Sequence, residues 1–277
     1  IQAVETRREI LIFTDASTHS MQFIGPPFTF GINQLAANTT IMGANSAVAV
    51  NDSVFWMGKN RFYVYDGQIQ DLPCTVRDTV FDDFNEAQSD KVFAGVNSEF
   101  GEVIWFYSSA GSSNNDKYVI YNYDEKVWYF GNLQRSAWLD RGLTSNPIAA
   151  SSNAQYLFNH EVGADDDGSA LSAHIESSPI DISEGEKFGF IRRLLPDISF
   201  LTTPNTASKE VTFTLKAEDF PGTGFTQSYA STVTADETQN HVRIRGRGLG
   251  LRIESANAGV TWRLGSPRVD IRQDGRR

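Results

Sequence analysis

The sequence has little of what membrane-spanning proteins, disulfide-rich domains and cysteine-based zinc sites require. Its 277 residues include one cysteine, Cys74, which excludes an intramolecular disulfide and a zinc site built from several cysteines. No run approaches the roughly 20 apolar residues that span a bilayer, and no charged segment followed by an apolar core near the start has the pattern of a signal peptide. The sequence therefore predicts no membrane partner.

Positive charge is also scarce over most of the chain. Lysine and arginine together number 24 against 34 aspartates and glutamates, for a formal net charge of -10. A surface of this sign repels phosphate backbones and anionic lipids. A protein whose whole surface binds nucleic acid or membrane is therefore excluded, and solubility is the ordinary interpretation of the charge.

Motifs that carry catalysis or bind metals and cofactors are absent as well. The four histidines lie far apart with no HExxH or paired-cysteine context, and there is no GxSxG motif. The glycine-rich stretches 221–224 and 246–250 lack the lysine and serine or threonine of a phosphate-binding loop. Three aspartates at 165–167 lack the spacing of a calcium loop and are interpreted as a solvated turn. We predict no catalytic, metal-binding or cofactor-binding residues and no enzymatic activity.

Strand-forming residues, by contrast, are abundant and come in repeats. Residues 54–57 and 61–65 are apolar and aromatic runs joined by a Lys-Asn turn, and the same arrangement returns at 102–107, 118–123 and 127–129. Weaker versions occur at 10–13 with 20–23, and at 148–149 with 156–158. The first 165 residues thus hold four units. Their spacing of about 40 residues is that of four-stranded propeller blades.

The aromatic side chains of these repeats are predicted to be core residues rather than a sugar-binding surface. A single blade cannot bury both faces of its small sheet, so bulky rings pack against neighbouring blades. The residues in question are Phe55, Trp56, Tyr63, Tyr65, Trp105, Tyr107, Tyr121 and Trp128. One helix is predicted over 76–84, where four apolar residues fall on one side and Thr75 with Asp78 resembles a capping box.

The composition changes after Gly168, where aromatic residues thin out and Thr, Ser and Pro increase. We predict a domain boundary there, with propeller blades in residues 1–168 and a β-sandwich-like domain with an arginine-rich end in residues 169–277. The strand candidates of the second domain are 172–176, 192–200 broken by Pro196, 211–216, 241–247, 249–254, 260–264 and 268–272. The predicted fold class is all-β.

Positive charge is concentrated at the end of the chain. Residues 241–277 contain nine arginines, no lysine and three acidic residues, for a charge of +6, whereas residues 1–240 carry -16. Alternation with apolar residues over 242–247 puts three guanidinium groups on one strand face. They could pair with carboxylates of a second subunit, bind a phosphate backbone, or be solvated; the planar arginine fork favours carboxylate pairing at an interface. The predicted subunit-interface candidates are Arg243, Arg245, Arg247, Arg268 and Arg272.

The order of these pieces resembles one known family. The motifs that carry the resemblance are FWMG at 55–58, FYVYDG at 62–67, LPCTV at 72–76, VFD at 80–82, WFYS at 105–108, WRLG at 262–265, Arg268, Asp270 and the final Gly-Arg-Arg. Together they resemble the tail hub or nozzle proteins of short-tailed bacteriophages, often called packaged-DNA stabilisation proteins. The resemblance covers nearly the whole chain from about Glu5.

The resemblance implies a propeller-based subunit of a homohexameric ring in the virion, assembled in the host cytoplasm. Such a ring lies below the portal and its adaptor, extends the DNA channel and helps to retain the packaged genome. The implied partners are further copies of the chain, the head-to-tail adaptor, a tail fibre, spike or needle, and genomic DNA in transit. No catalytic residue carries over from the family. Its members are longer at the N-terminus, so Ile1 is expected to begin partway through the propeller.

A rival interpretation is a glycan-binding or glycan-cleaving adhesin of the tailspike type. Propellers and sandwiches host both functions, and exposed Trp and Tyr stack on sugars. A pair of carboxylates at catalytic separation would support it, and Asp82, Asp83, Glu99 and Glu102 are available in the sequence. A third interpretation, a cellular propeller scaffold, would be favoured by a monomer with closed blades.

Overall fold

Antiparallel β-strands dominate both halves of the chain. The computed structural model describes residues 1–182, 185–201 and 208–275, which divide into two compact units, Ile1–Val162 and Gly163–Arg277. The all-β prediction is confirmed, since strands dominate these described ranges and the helices longer than a single turn are one short α-helix and one 3-10 helix. The division lies just before the predicted boundary at Gly168. The last two arginines of the closing motif lie outside the described residues.

The first unit consists of four antiparallel sheets that follow one another along the chain. The first three sheets have four strands each and the fourth has three, always paired in sequence order, so the four predicted repeats correspond to four sheets. The strands are β1 (Gln2–Glu5), β2 (Ile10–Phe13), β3 (Ser17–Gly25) and β4 (Thr29–Ala37); β5 (Ala47–Val50), β6 (Ser53–Met57), β7 (Phe62–Tyr65) and β8 (Ile69–Leu72); β9 (Phe93–Asn97), β10 (Glu102–Tyr107), β11 (Lys117–Asn122) and β12 (Val127–Asn132); and β13 (Arg135–Leu139), β14 (Ile148–Ser151) and β15 (Leu157–Asn159).

The sheets of the first unit are packed in series. Their first strands contact one another in the order β1, β5, β9 and β13, which is how the innermost strands of propeller blades adjoin. Across residues 1–162 this series does not close into a propeller ring. The propeller therefore stays a prediction, whereas its blade-like sheets are present.

Alternating side chains explain why the strands of the first unit are apolar on both faces. On β6, Val54 and Trp56 join a core shared with the first sheet, whereas Phe55 and Met57 join a core shared with the third. Strand β10 divides its residues in the same way between the second and fourth sheets. Successive strand residues point to opposite faces, so a sheet covered on both sides needs a continuous apolar run. The prediction that the repeat aromatics are core is confirmed, with only Trp128 of the eight half-buried.

Tryptophan side chains also link consecutive sheets by hydrogen bonds. Trp105 donates from Nε1 to the carbonyl of Ser46, which precedes β5, at 3.0 Å. Trp138 of the fourth sheet donates to the carbonyl of Val96 in the third at 2.8 Å. A buried indole N–H needs an acceptor, and these carbonyls supply it at the points where two sheets meet.

The predicted helix is present but shorter, and its cap differs from the prediction. Helix α1 spans Arg77–Asp82 and is followed by a 3-10 helix over Glu86–Lys91. Val76 is the N-cap residue and provides no side-chain hydrogen bond, so the predicted Thr75 capping box is wrong. Val80 and Phe84 are buried in the core between the second and third sheets. This packing, rather than a capping box, holds the insertion in place.

The second unit is a sandwich of two sheets. The larger sheet contains β16 (Ala173–Glu176), β17 (Ile180–Asp181), β20 (Glu210–Glu218), β21 (Gln227–Thr234) and β23 (Gly248–Ser255). The smaller sheet has the order β22 (Asn240–Gly246), β18 (Gly189–Leu195) and β25 (Arg268–Gln273). A further pair is formed by β19 (Ile198–Phe200) and β24 (Trp262–Leu264). Both main sheets bury aliphatic and aromatic residues in one common core, among them Leu194, Phe213, Leu215, Ile244 and Ile253.

Most strands of the sandwich coincide with predicted ones, but the two-residue strand β17 and the longer strand β21 were missed. The sequence of β21, QSYASTVT, puts Tyr229 and Val233 on the core side, and its other residues are serine, threonine, glutamine and one alanine. That alternation is a strand signal weakened by serine and threonine. No helix in the described part of either unit is long and apolar enough to cross a membrane.

Candidate functional site

The smaller sheet of the sandwich has one apolar face and one charged face. Ile191, Val242 and Ile244 point into the common core, so their strand neighbours point outward. The outward residues on the three strands define what we call the arginine face: Phe190, Arg192, Arg193, His241, Arg243, Arg245, Arg268, Asp270 and Arg272. Six arginines thus share one face of a protein whose net charge is -10.

Four of the five predicted arginines lie on this face, and Arg247 does not. Strand β22 ends at Gly246, so the alternation that carries Arg243 and Arg245 stops before Arg247. The Arg247 guanidinium instead lies 4.9 Å from the ring centre of Phe188 and 4.7 Å from that of Phe220. Contacts of this kind make Arg247 part of the packing of the sandwich.

Two further arginines of the face, Arg192 and Arg193, were missed by the sequence analysis. A register shift between Ile191 and Arg193 interrupts the pairing of β18 with both neighbours. Both guanidinium groups consequently reach one oxygen of Asp270, with N–O distances of 3.2 Å from Arg192 and 3.8 Å from Arg193. Bulges of this kind redirect side chains. The sequence signal that could have identified Arg192 and Arg193 is the pair of adjacent arginines within an otherwise apolar strand.

The arginine face keeps an excess of positive charge despite its internal ion pairs. Asp270 contacts Arg192 and Arg193, and Asp274 contacts Arg245 at 2.5 Å. These pairs are partly exposed, and pairs of that kind contribute only about 0–1 kcal/mol to stability. Two carboxylates therefore face six guanidinium groups, and the face remains attractive to anions.

A cavity of about 590 Å³ lies on this face. Arg193 donates from Nη1 to Gln239 at 3.4 Å, but its buried Nε has no hydrogen-bond partner. Arg243 is exposed and forms no hydrogen bond or ion pair with any residue that the structure describes. The Arg193 side chain as a whole is 43% exposed, so its terminal nitrogens and the Arg243 guanidinium are the donors that an external acceptor can reach. The cavity is lined by Phe190, Arg192, Arg193, His241, Arg243 and Asp270, among others.

Two carboxylates of the first unit approach the same amide. Asn97, almost fully buried on β9, donates from Nδ2 to Glu102 Oε2 at 3.4 Å and to Glu161 Oε1 at 3.3 Å. Burial and the neighbouring Glu161 raise the pKa of Glu102 to about 7, although the Asn97 hydrogen bond opposes the shift. Burial also raises the pKa of Glu161. The Tyr129 hydroxyl donates a further hydrogen bond to Glu102.

Only one of the four acids named from the sequence belongs to this pair. Glu102 is a member, whereas Glu99 forms an ion pair with Arg141 at 3.2 Å and Asp83 forms one with Lys117 at 2.5 Å. Glu161 was missed because it follows the last strand of the unit, far from Glu102 in sequence. Its backbone φ of 58° is in the left-handed region, which non-glycine residues rarely adopt. Among the described residues, no group of three or more His, Cys, Asp or Glu side chains is placed to hold a metal ion.

The first sheet exposes an apolar outer face. Leu11 and Phe13 of β2 point toward the second sheet, so the alternating residues point away from it. Ile10, Met21 and Ile32 lie opposite one another on three neighbouring strands, and the pairing of β3 with β4 continues beyond β2 as a two-stranded arm. Five residues, which we call the apolar ribbon, lie on this outer face: Ile10, Met21, Phe23, Phe30 and Ile32.

Comparisons with known proteins do not show a family for the chain. No protein-family model and no curated protein sequence matches it. Among solved structures, a chain titled "Glycoside hydrolase" is similar over 94% of this chain and 82% of that one, with 11% sequence identity and a TM-score of 0.27. A similarity this low carries no argument about activity.

Proposed function

We propose that the protein is a structural subunit of a ring-shaped assembly, the hub or nozzle of a short-tailed phage tail, and not an enzyme. In this role identical subunits form a ring, expected to be a hexamer, in the virion. The ring continues the DNA channel below the portal and its adaptor and helps to retain the genome. Fibres, spikes or needles are further candidate partners.

The observation that carries the proposal is the apolar ribbon. Phe23, Phe30 and Ile32 are 71%, 53% and 61% exposed. The Phe23 and Phe30 rings pack edge-on, with their ring centres 6.0 Å apart. A two-stranded ribbon is marginally stable in water without a surface to pack on. Clustered exposed rings on a soluble protein indicate an interaction surface.

The interior of the first unit indicates what kind of surface covers such a ribbon. The second and third sheets bury apolar residues on both faces against their neighbours. The outer face of the fourth sheet also carries exposed apolar residues, namely Leu139 and Leu157. A series with an apolar face at each end can continue from one subunit to the next, and repeated head-to-tail contacts form a ring when the rotation between subunits closes. The resemblance of the sequence to phage tail hubs supports the more specific assignment.

The proposal is tested by the mass of the particles in solution. Mass photometry and negative-stain electron microscopy of the purified chain should show rings of uniform stoichiometry. A double substitution, Phe23→Ser with Phe30→Ser, should shift the population to monomers, because it removes the rings that the contact would bury. The matched control is Leu143→Ser, since Leu143 is fully exposed in a loop outside the ribbon.

The control variant should assemble like the unchanged protein. Circular dichroism would verify that both variants keep their strand content. A chain that stays monomeric at every concentration, or a double variant that forms rings as readily as the control, would contradict the proposal.

Glycan cleavage is the second candidate function, and the Glu102–Glu161 pair is the observation that favours it. Glycosidases use two carboxyl groups on either side of the scissile bond, one of which is protonated near neutral pH and acts as the acid. The raised pKa of Glu102 fits the acid, and Glu161 would be the second carboxylate. Neither residue lines the cavity on the arginine face.

The two candidate functions make opposite predictions for substitutions in this pair. If the protein cleaves glycans, it should release reducing sugar from a polysaccharide panel, and Glu102→Gln should lower that rate by about 100-fold or more, as loss of a general acid does. Glu125→Gln, in the exposed turn before β12, is the matched control. A structural subunit should release no sugar in any form, and Glu102→Gln should leave ring assembly unchanged.

A further inference from the structure

We infer that the cavity on the arginine face is a binding site for a phosphate group. The site lies on the smaller sheet of the sandwich, and the inference does not depend on ring assembly through the first unit. Its principal donors are the guanidinium groups of Arg192, Arg193 and Arg243, with His241 at the edge of the same cavity. No ion pair among the described residues engages Arg243, so its charge is available to a ligand.

The bulge in β18 is what makes the site. In regular pairing, Arg192 and Arg193 would point to opposite faces of the sheet, and one guanidinium would enter the apolar core. The register shift keeps both on the outer side, where Asp270 holds them. Arg193 is positioned with its Nε buried and without an acceptor. The rest of the Arg193 side chain is 43% exposed and lines the cavity, so its terminal nitrogens can donate to a ligand oxygen there.

The number and arrangement of donors favour phosphate over carboxylate. A carboxylate has two oxygens and one charge, and it is satisfied by a single arginine fork. Asp270 already fills that role toward Arg192 and Arg193. The donors that remain come from different strands, namely the exposed terminal nitrogens of Arg193 on β18 and the guanidinium of Arg243 on β22. A phosphate group offers several acceptor oxygens and a larger charge, and arginine is the usual side chain for its recognition.

The test measures phosphate binding by the full chain. Inorganic phosphate is titrated by isothermal calorimetry, and a fluorescein-labelled oligothymidylate is titrated by anisotropy. Arg192→Gln combined with Arg243→Gln should weaken binding of at least one probe by about tenfold or more, since each removes charged hydrogen bonds. Arg263→Gln is the matched control, because it removes one exposed arginine from β24, outside the arginine face. Its affinity should stay within about twofold of the unchanged protein.

A second variant moves the affinity in the opposite direction. Asp270→Asn removes the acidic residue of the cavity and releases Arg192 and Arg193, so phosphate should bind more tightly. Arg243→Lys should recover only part of the lost affinity, because lysine keeps the charge but not the planar fork. Equal weakening by Arg263→Gln, or no strengthening by Asp270→Asn, would overturn the inference, since binding would then follow net charge alone.

The two probes distinguish the sources of the phosphate. A free phosphate or nucleotide ligand predicts that inorganic phosphate competes fully with the oligonucleotide. A nucleic acid backbone predicts much tighter binding of the oligonucleotide, with an affinity that falls steeply with salt because counterions are released. Both results support a phosphate site. Binding of a polyglutamate peptide in the absence of binding to either phosphate probe would overturn it and assign the face to a carboxylate partner.

Discussion

The two units of this protein bury strands in different ways, and the difference determines where charge can accumulate. Ile1–Val162 contains 25 of the 33 aromatic residues and stacks small sheets so that the inner ones are covered on both faces. Gly163–Arg277 uses two sheets around one largely aliphatic core, which leaves the outer face of each sheet to solvent. A sandwich can therefore carry a row of arginines on a strand, and an inner sheet of the series cannot.

The comparison also explains the contrast between the candidate sites. On the arginine face the groups of β22 and β25 follow the regular alternation of those strands, and the bulge in β18 adds Arg192 and Arg193. The Glu102–Glu161 pair instead joins the start of a strand to a loop residue beyond the last strand of its unit. The first site combines sheet periodicity with one bulge, and the second consists of chain segments that are distant in sequence and meet only on folding.

The largest expected loss of stability comes from removing a fully buried aromatic side chain from the core of each unit. Trp105→Ala should lower the unfolding free energy of the first unit by about 3–5 kcal/mol, and Phe213→Ala should do the same in the second, because both side chains are fully buried. Hydrogen exchange measured by mass spectrometry can follow the two units separately. If each variant destabilises both units equally, the units unfold together, and the comparison between them fails.

A smaller loss is expected where two sheets of the first unit meet. A Cβ at Gly95 would lie 2.7 Å from Cδ1 of Trp138, so Gly95→Ala should cost about 1–3 kcal/mol. A Cβ at Gly111 would meet no atom within 4 Å, which makes Gly111→Ala the control. Urea unfolding would measure both. Equal midpoints for the two variants would show that β9 and β13 pack less closely than the distances indicate.

The stability of the two units should respond to pH with opposite sign. The pKa of Glu102 is raised to about 7, so the folded first unit binds this proton more tightly than the unfolded chain does. Its stability should therefore fall as pH rises from the unfolded pKa through about 7, by about 1–2 kcal/mol after allowance for partial exposure. Glu102→Gln should reduce this dependence in unfolding midpoints measured on either side of that range, and the remainder comes from Glu161, whose pKa burial also raises.

In the sandwich, hydrogen bonds from Lys216 and Arg252 lower the pKa of Glu176. The contribution of this group is present above its unfolded pKa and is lost as pH falls through the lower folded value. Acid should thus weaken the second unit through Glu176, whereas protonation of Glu102 should stabilise the first unit as pH falls from about 7. A first unit that gains stability as pH rises toward 7 would contradict the role given to Glu102.

The smallest expected difference in stability is that between alanine substitutions of Arg247 and Arg243, two arginines of similar sequence context. Arg247→Ala should destabilise the second unit by about 1 kcal/mol, because the guanidinium packs between Phe188 and Phe220. Arg243→Ala should change stability by about 0.5 kcal/mol or less, since its side chain is exposed. Thermal unfolding would compare them. Equal losses would place Arg243 in the packing and remove it from the arginine face.

Local patterns predicted most of the strands and few of the long-range pairings. The apolar and aromatic runs of β6 and β10 specify strands buried on both faces, because every residue of such a run has to be covered. Serine and threonine in β21 weakened the same signal. The capping box at Thr75 was wrong because the insertion is held by Val80 and Phe84 in a core that local sequence does not describe.

The sequence by itself determined the all-β class, the four repeats, the aromatic core and the concentration of arginine near the end of the chain. These properties follow from composition and from alternation with a period of two, which are local. Only the tertiary structure decided that Arg192 and Arg193 lie on the same face as Arg243. It also decided that Arg247 lies off that face, and that Glu161 approaches Glu102. Each of these depends on a bulge, a strand end or a loop position, and contacts between distant segments form only when the chain folds around its cores.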